Sequence, residues 1–134
     1  MPVNFRIDRN RGLVVGRATG EVMPDELIAA FDTIAKESKG QAVGMPMLFR
    51  ADEQASHHAV NIEGLERVRE NMRKWRDAIG ITKPIRNAIV ARDFVHDPVP
   101  PLWQALNDAD TAMGIVVRVF PTEDAALAWL AEDK

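Results

Sequence analysis

At 134 residues, with 46% hydrophobic and 28% charged residues, the chain has the length and composition of one globular domain and not of a disordered segment. Cysteine is absent, which excludes disulfides, thiolate metal sites and cysteine nucleophiles together and points to a reducing, cytoplasmic compartment. A formal net charge of -3 argues against a broad nucleic-acid surface, no run reaches the ~18 apolar residues of a membrane span, and the charged start Met1 to Arg6 does not read as a secretory signal.

Val3, Phe5 and Ile7 alternate with Asn4, Arg6 and Asp8, the period of a half-buried edge strand. A polar turn ending in Gly12 leads to a second strand, Leu13 to Thr19. Pro24 opens a helix with Asp25 and Glu26 in its first turn and Leu27, Ile28, Phe31, Ile34 and Ala35 as its apolar stripe; Ser38 to Gly40 ends it. Met47 to Phe49 forms a short third strand. From about Asn61 to Ile79 the residues Ile62, Leu65, Val68, Met72, Trp75 and Ile79 step by three or four, and Gly80 supplies a stop. Asn87 to Ala91 and Ile115 to Phe120 are nearly continuous apolar runs, as central strands covered on both faces would be. Between them a helix runs from about Pro101 to Met113, with Leu102, Leu106 and Ala109 inward. A last helix covers Thr122 to Ala131.

The order is β-β-α-β-α-β-α-β-α. Strands alternating with helices predict crossover units, hence one layered α/β domain over residues 1–134 with a mixed, mostly parallel five-stranded sheet and four helices.

Several stretches resemble the STAS domain, the sulfate-transporter and anti-sigma-factor-antagonist fold, in its SpoIIAA-like branch. They are Gly12-Leu13-Val14-Val15 with Thr19-Gly20-Glu21-Val22, Pro46-Met47-Leu48-Phe49, Ala88-Ile89-Val90-Ala91, and Val117 to Phe120 followed by Glu123 to Leu130. These are packing patterns spread over almost the whole chain. The resemblance implies a bacterial, non-catalytic regulatory module that binds a protein or a second copy of itself. Antagonists of this fold carry a phosphorylatable serine in an Asp-Ser-x-Gly arrangement after the third strand. Here the stretch Arg50 to His58 lacks it; Ser56 is its only serine, at a different spacing, which puts a phosphoswitch in doubt.

In layered α/β sheets, ligands bind beyond the carboxyl ends of strands. The loop after strand three holds Arg50, Asp52, Glu53, His57 and His58; the loop after strand four holds Arg92, Asp93, His96 and Asp97. Histidine and carboxylate together suggest a metal or acid/base site. Neighbouring histidines rarely share one ion, however, and His96-Asp97 runs into Pro98, so solvated loop groups are the preferred reading. Phe94, Val95 and Trp103 flank the prolines 98, 100 and 101 and suit a rigid apolar lip, although prolines also simply start helices. Arg67, Arg69, Arg73, Lys74 and Arg76 interleave with Glu63, Glu66, Glu70 and Asp77, which reads as a solvated face with pairs such as Glu63–Arg67 and Glu70–Lys74. The three tryptophans read as core.

No phosphate-cradling loop or nucleophile elbow is found in the sequence. The expected ligand or partner contacts are therefore Arg50, Asp52, His57, His58, Arg92, His96 and Trp103, with no catalytic residue, metal or cofactor assigned. The expected partner is a protein or a second copy of the chain, with no nucleic acid and no membrane insertion. The alternative is a small-molecule or lipid site in an apolar pocket bounded by Phe31, Phe49, Phe94 and Trp103. A third reading is an enzyme built on the loop histidines.

Overall fold

The computed structural model describes residues 3–52, 60–91 and 98–132. Within them the chain forms β1 (Val3–Asp8), β2 (Leu13–Ala18), α1 (Pro24–Glu37), β3 (Met47–Ala51), α2 (Ile62–Ile79), β4 (Ile85–Val90), α3 (Val99–Ala109), β5 (Ile115–Phe120) and α4 (Glu123–Leu130). Short 3-10 turns at Gln41–Gly44 and Thr111–Met113 precede β3 and β5. The architecture is α/β, in the element order the sequence predicts.

The five strands lie in the order β1-β2-β3-β4-β5. Only the β1–β2 hairpin is antiparallel, with Val3 opposite Ala18 and Asp8 opposite Leu13; the other three pairings are parallel. The hairpin turn is set by Asp8, whose carboxylate accepts from the Arg11 backbone N–H at 3.2 Å, and by Gly12 at φ +66°. β1 is an edge strand, as its alternation predicts. β5 is the other edge, contrary to the central position expected from its apolar run. That run reflects α3 and α4, which both pack against β5. Ile115 and Val117 are buried on one side of it, while Phe120 meets Trp129 of α4 at 5.6 Å between ring centroids.

Helix ends follow local chemistry. The Met23 backbone N–H donates to the Glu26 carboxylate at 3.2 Å, and Pro24 occupies the first turn, where its missing N–H costs nothing. Asn61 Oδ1 accepts from Gly64 N–H at 2.8 Å to start α2, and Gly80 ends it in the left-handed region. Thr122 caps α4 by accepting from Ala125 N–H. α3 begins at Val99, two residues before the expected Pro101, and stops at Ala109, which is exposed; the buried residue of its last turn is Asn107.

The two faces of the sheet carry different cores. On one, Val14, Met47, Ile89 and Val117 meet Phe31 and Ile34 of α1, Val68 and Met72 of α2, and the partly buried Trp103 of α3. On the other, Leu13, Val15, Leu48 and Ala88 meet Ala126 of α4. Alternation along β2, β3 and β4 divides these sets, as the strand period requires.

Two expectations about α2 need correction. Ile62 and Ile79, read as part of the inward stripe, are exposed. Arg69 and Arg76, read as part of a solvated face, are buried at 5% and 6% relative exposure. Arg69 donates to Asn107 Oδ1 at 3.3 Å and to Asp110 at 2.9 Å, and Asp110 also takes Arg73 at 3.2 Å. Arg67 pairs with Asp25 of α1. The charges of α2 thus serve tertiary contacts with α1 and with the end of α3.

Candidate functional site

Where α1, α2 and the start of α3 cover the sheet, packing leaves a cavity of about 100 Å³. Phe5, Met47, Phe49, Ala51 and Ile89 form its floor; Leu27, Ile28 and Phe31 of α1, Leu65, Val68 and Met72 of α2, and Val99, Pro100 and Trp103 of α3 form its walls. Gly16 of β2 lets the aromatic floor close over the strand. A Cβ there would stand 2.5 Å from Phe5 Cε1 and 2.6 Å from Phe49 Cδ2, inside van der Waals contact. The Phe5 ring in turn meets Phe31 edge-on at 6.3 Å and Phe49 at 5.9 Å.

Among the described lining residues the polar ones are Asn71 and Asn87. Asn71 donates to Asp32 Oδ1 at 2.9 Å, and the same oxygen accepts from Trp75 Nε1 at 2.7 Å, so α1 and α2 are fastened beside the cavity. Asn87 differs. It lies on β4 with only 6% exposure and lines the cavity with its carboxamide side chain. A carboxamide offers two N–H donors and one acceptor oxygen to whatever occupies such a space.

Asn87 also lines a smaller recess of about 20 Å³, which shares Phe31, Met47, Met72 and Asn87 with the cavity. Arg76 enters this recess. Its Nη2 donates to the Lys83 carbonyl at 2.9 Å, whereas Nη1 is buried with no partner. Burial holds the Arg76 guanidinium below its ordinary pKa, and Asp77 partly opposes that. Gly114, at φ +76°, leaves room for the group: a Cβ there would lie 2.7 Å from Nη2.

Of the contacts expected from the sequence, Trp103 lines this cavity. Arg50 and Asp52 do not line it. Arg17 of β2, directly across from Arg50 in the register, donates to Asp52 at 2.7 Å, and Arg50 pairs with Glu123 at the start of α4 at 3.1 Å, its Nε buried without a partner. The Arg17 hydrogen bond holds the Asp52 carboxyl below its usual range, and the same bond raises Arg17. This cluster belongs with α4, so the structure separates the charged pair from the aromatic lip. His57, His58, Arg92, His96 and Ser56, together with Phe94, lie outside the described residues. Among the described residues no group of three or more histidines and carboxylates is placed to hold a metal ion, and no helix is long and apolar enough to cross a membrane.

Sequence reasoning missed Asn87 and Arg76. The first left a trace: Asn87 stands two residues before Ile89, at a position the strand period turns inward. The second left little, because its burial depends on a turn 38 residues away, at Gly114. Comparison with protein-family models, curated proteins and solved structures finds no match to this chain.

Proposed function

We propose that this chain is a cytoplasmic, non-catalytic STAS-like domain of the SpoIIAA-like branch that binds a small apolar molecule between its sheet and helices α1, α2 and α3. The observation that carries this reading is the cavity of about 100 Å³ walled by Phe5, Phe31, Phe49 and Trp103, with the carboxamide of Asn87 on its lining. Small-molecule sites are typically apolar with a few placed polar groups, and an apolar cavity of roughly 150 Å³ takes up benzene. Titration with toluene, followed by the fluorescence of Trp103 in a protein whose other tryptophans are replaced by phenylalanine, tests it. A saturable change supports binding; a flat titration at millimolar toluene overturns it.

A second reading, a surface for a protein partner or a second copy, is favoured by Met23 and Ile62, large apolar residues 43% and 56% exposed at the adjoining starts of α1 and α2. Sedimentation of the wild type and of Ile62→Lys over a range of concentrations decides it: self-association lost in the variant supports a copy-to-copy contact.

A further inference from the structure

The recess beside the cavity has a chemistry that the apolar walls do not explain. Arginine stays protonated in proteins, so Arg76 carries its charge at neutral pH. At 6% exposure, a charge taken from water needs a compensating anion. Among the described residues no carboxylate pairs with Arg76: Asp77 acts on it only without direct contact, and its one hydrogen bond, from Nη2, goes to a neutral carbonyl. The neighbouring arginines show the contrast. Arg69 has Asp110 and Glu66, Arg73 has Asp110 and Glu70, and Arg67 has Asp25. Arg76 alone on α2 turns a free N–H toward a recess, and Asn87, whose amide can also donate, lines the same recess.

Building on the ligand-binding reading above, we infer that the ligand is a small monocarboxylate whose apolar body fills the cavity and whose carboxylate accepts hydrogen bonds from Arg76 Nη1 and the Asn87 amide. The recess, at about 20 Å³, is about the size of one water, so only the smallest anionic head, seated at its junction with the cavity, suits it. A carboxylate offers two acceptor oxygens to a guanidinium and an amide, and its single charge matches the single cation. A phosphate group carries up to two charges and three acceptor oxygens, more than one guanidinium and one amide satisfy. By comparison with the cavity that holds benzene, the apolar body is on the order of four to six carbons.

The test is isothermal titration of the full chain with hexanoate and, separately, with hexan-1-ol, which shares the six-carbon body without the charge. Wild type is expected to bind hexanoate about tenfold or more tightly than the alcohol, the advantage of a charge-assisted hydrogen bond over a neutral one. Arg76→Met keeps the side-chain volume and removes the charge. It is expected to abolish that preference, leave alcohol binding in place and leave the melting temperature unchanged or raised, because an uncompensated buried charge is lost. Asn87→Asp offers Arg76 a carboxylate from the chain itself and is expected to stabilise the fold while excluding hexanoate, so the inference does not depend on the Met variant folding. Equal affinity of wild type for the acid and the alcohol, or a preference that survives both substitutions, overturns the carboxylate inference and leaves the apolar cavity standing. Failure of both probes and of toluene to bind overturns both.

Discussion

The two faces of the sheet are built from the same strands but solve different problems. The α4 face is filled: Leu13, Val15, Leu48 and Ala88 close against Ala126, and charged groups along it have partners in the chain, with the buried Arg50 Nε left without a hydrogen bond among the described residues. Arg17 meets Asp52, Arg50 meets Glu123, and Arg86 lies 4.9 Å over the Trp129 ring while donating to the Trp129 carbonyl. The opposite face, under α1, α2 and α3, holds the larger core and both cavities described above, and it buries Asn87 and the unpaired Arg76. Packing satisfied by the chain itself reads as scaffold. Space and an unpaired charge left in the interior read as a site.

If that division is right, the α4 face should respond to substitution in stability and the other face in binding. Leu48→Ala, at a fully buried position of the filled face, is expected to cost about 3 kcal/mol in urea unfolding while leaving probe affinity per folded molecule unchanged. Arg69→Ala strips Asn107 and Asp110 of their shared donor, with an expected loss of about 2 kcal/mol, and Arg76→Met is expected to show none. Leu65→Phe adds volume into the cavity wall. It is expected to eliminate toluene binding with stability changed by less than about 1.5 kcal/mol, whereas a similar enlargement at Leu48 would disrupt the fold.

The smallest effect is electrostatic. Hydrogen bonds from Arg69 and from Arg17 hold Asp110 and Asp52 below the ordinary carboxylate value of 3.8. A carboxyl with a depressed folded-state pKa adds stability above its unfolded value, and that stability is lost as the pH falls through the folded one. The urea midpoint of the wild type is therefore expected to decline below about pH 4, and the decline should be shallower in Asp110→Asn.

The sequence made the scaffold legible and the site only partly so. Pro24, Asn61, Gly80 and Thr122 announce helix ends through backbone chemistry that acts within a few residues, and each stands where the structure uses it. The Val3-Phe5-Ile7 alternation marked an edge strand for the same reason. The apolar run of β5 misled, because an edge strand flanked by two helices is covered almost as a central one is. Arg69 and Arg76 misled further. They alternate with acids along α2 as solvated arginines do, and what buries them, Asn107, Asp110 and Gly114, is contributed by the chain some 40 residues later, beyond the reach of helical periodicity. Trp103 was legible as part of an apolar lip, whereas Arg50 and Asp52 were grouped with it by the carboxyl-end rule. That rule fixes an end of the sheet but not a face; strand alternation sends Arg50 to the α4 side.

The most direct test of the account is methyl NMR of the protein titrated with toluene, read on the two faces at once. The account predicts saturable shifts at Leu65, Val68, Met72 and Ile89 with Leu13, Val15 and Leu48 unmoved. Shifts confined to the α4 face, or none on either face, would contradict it.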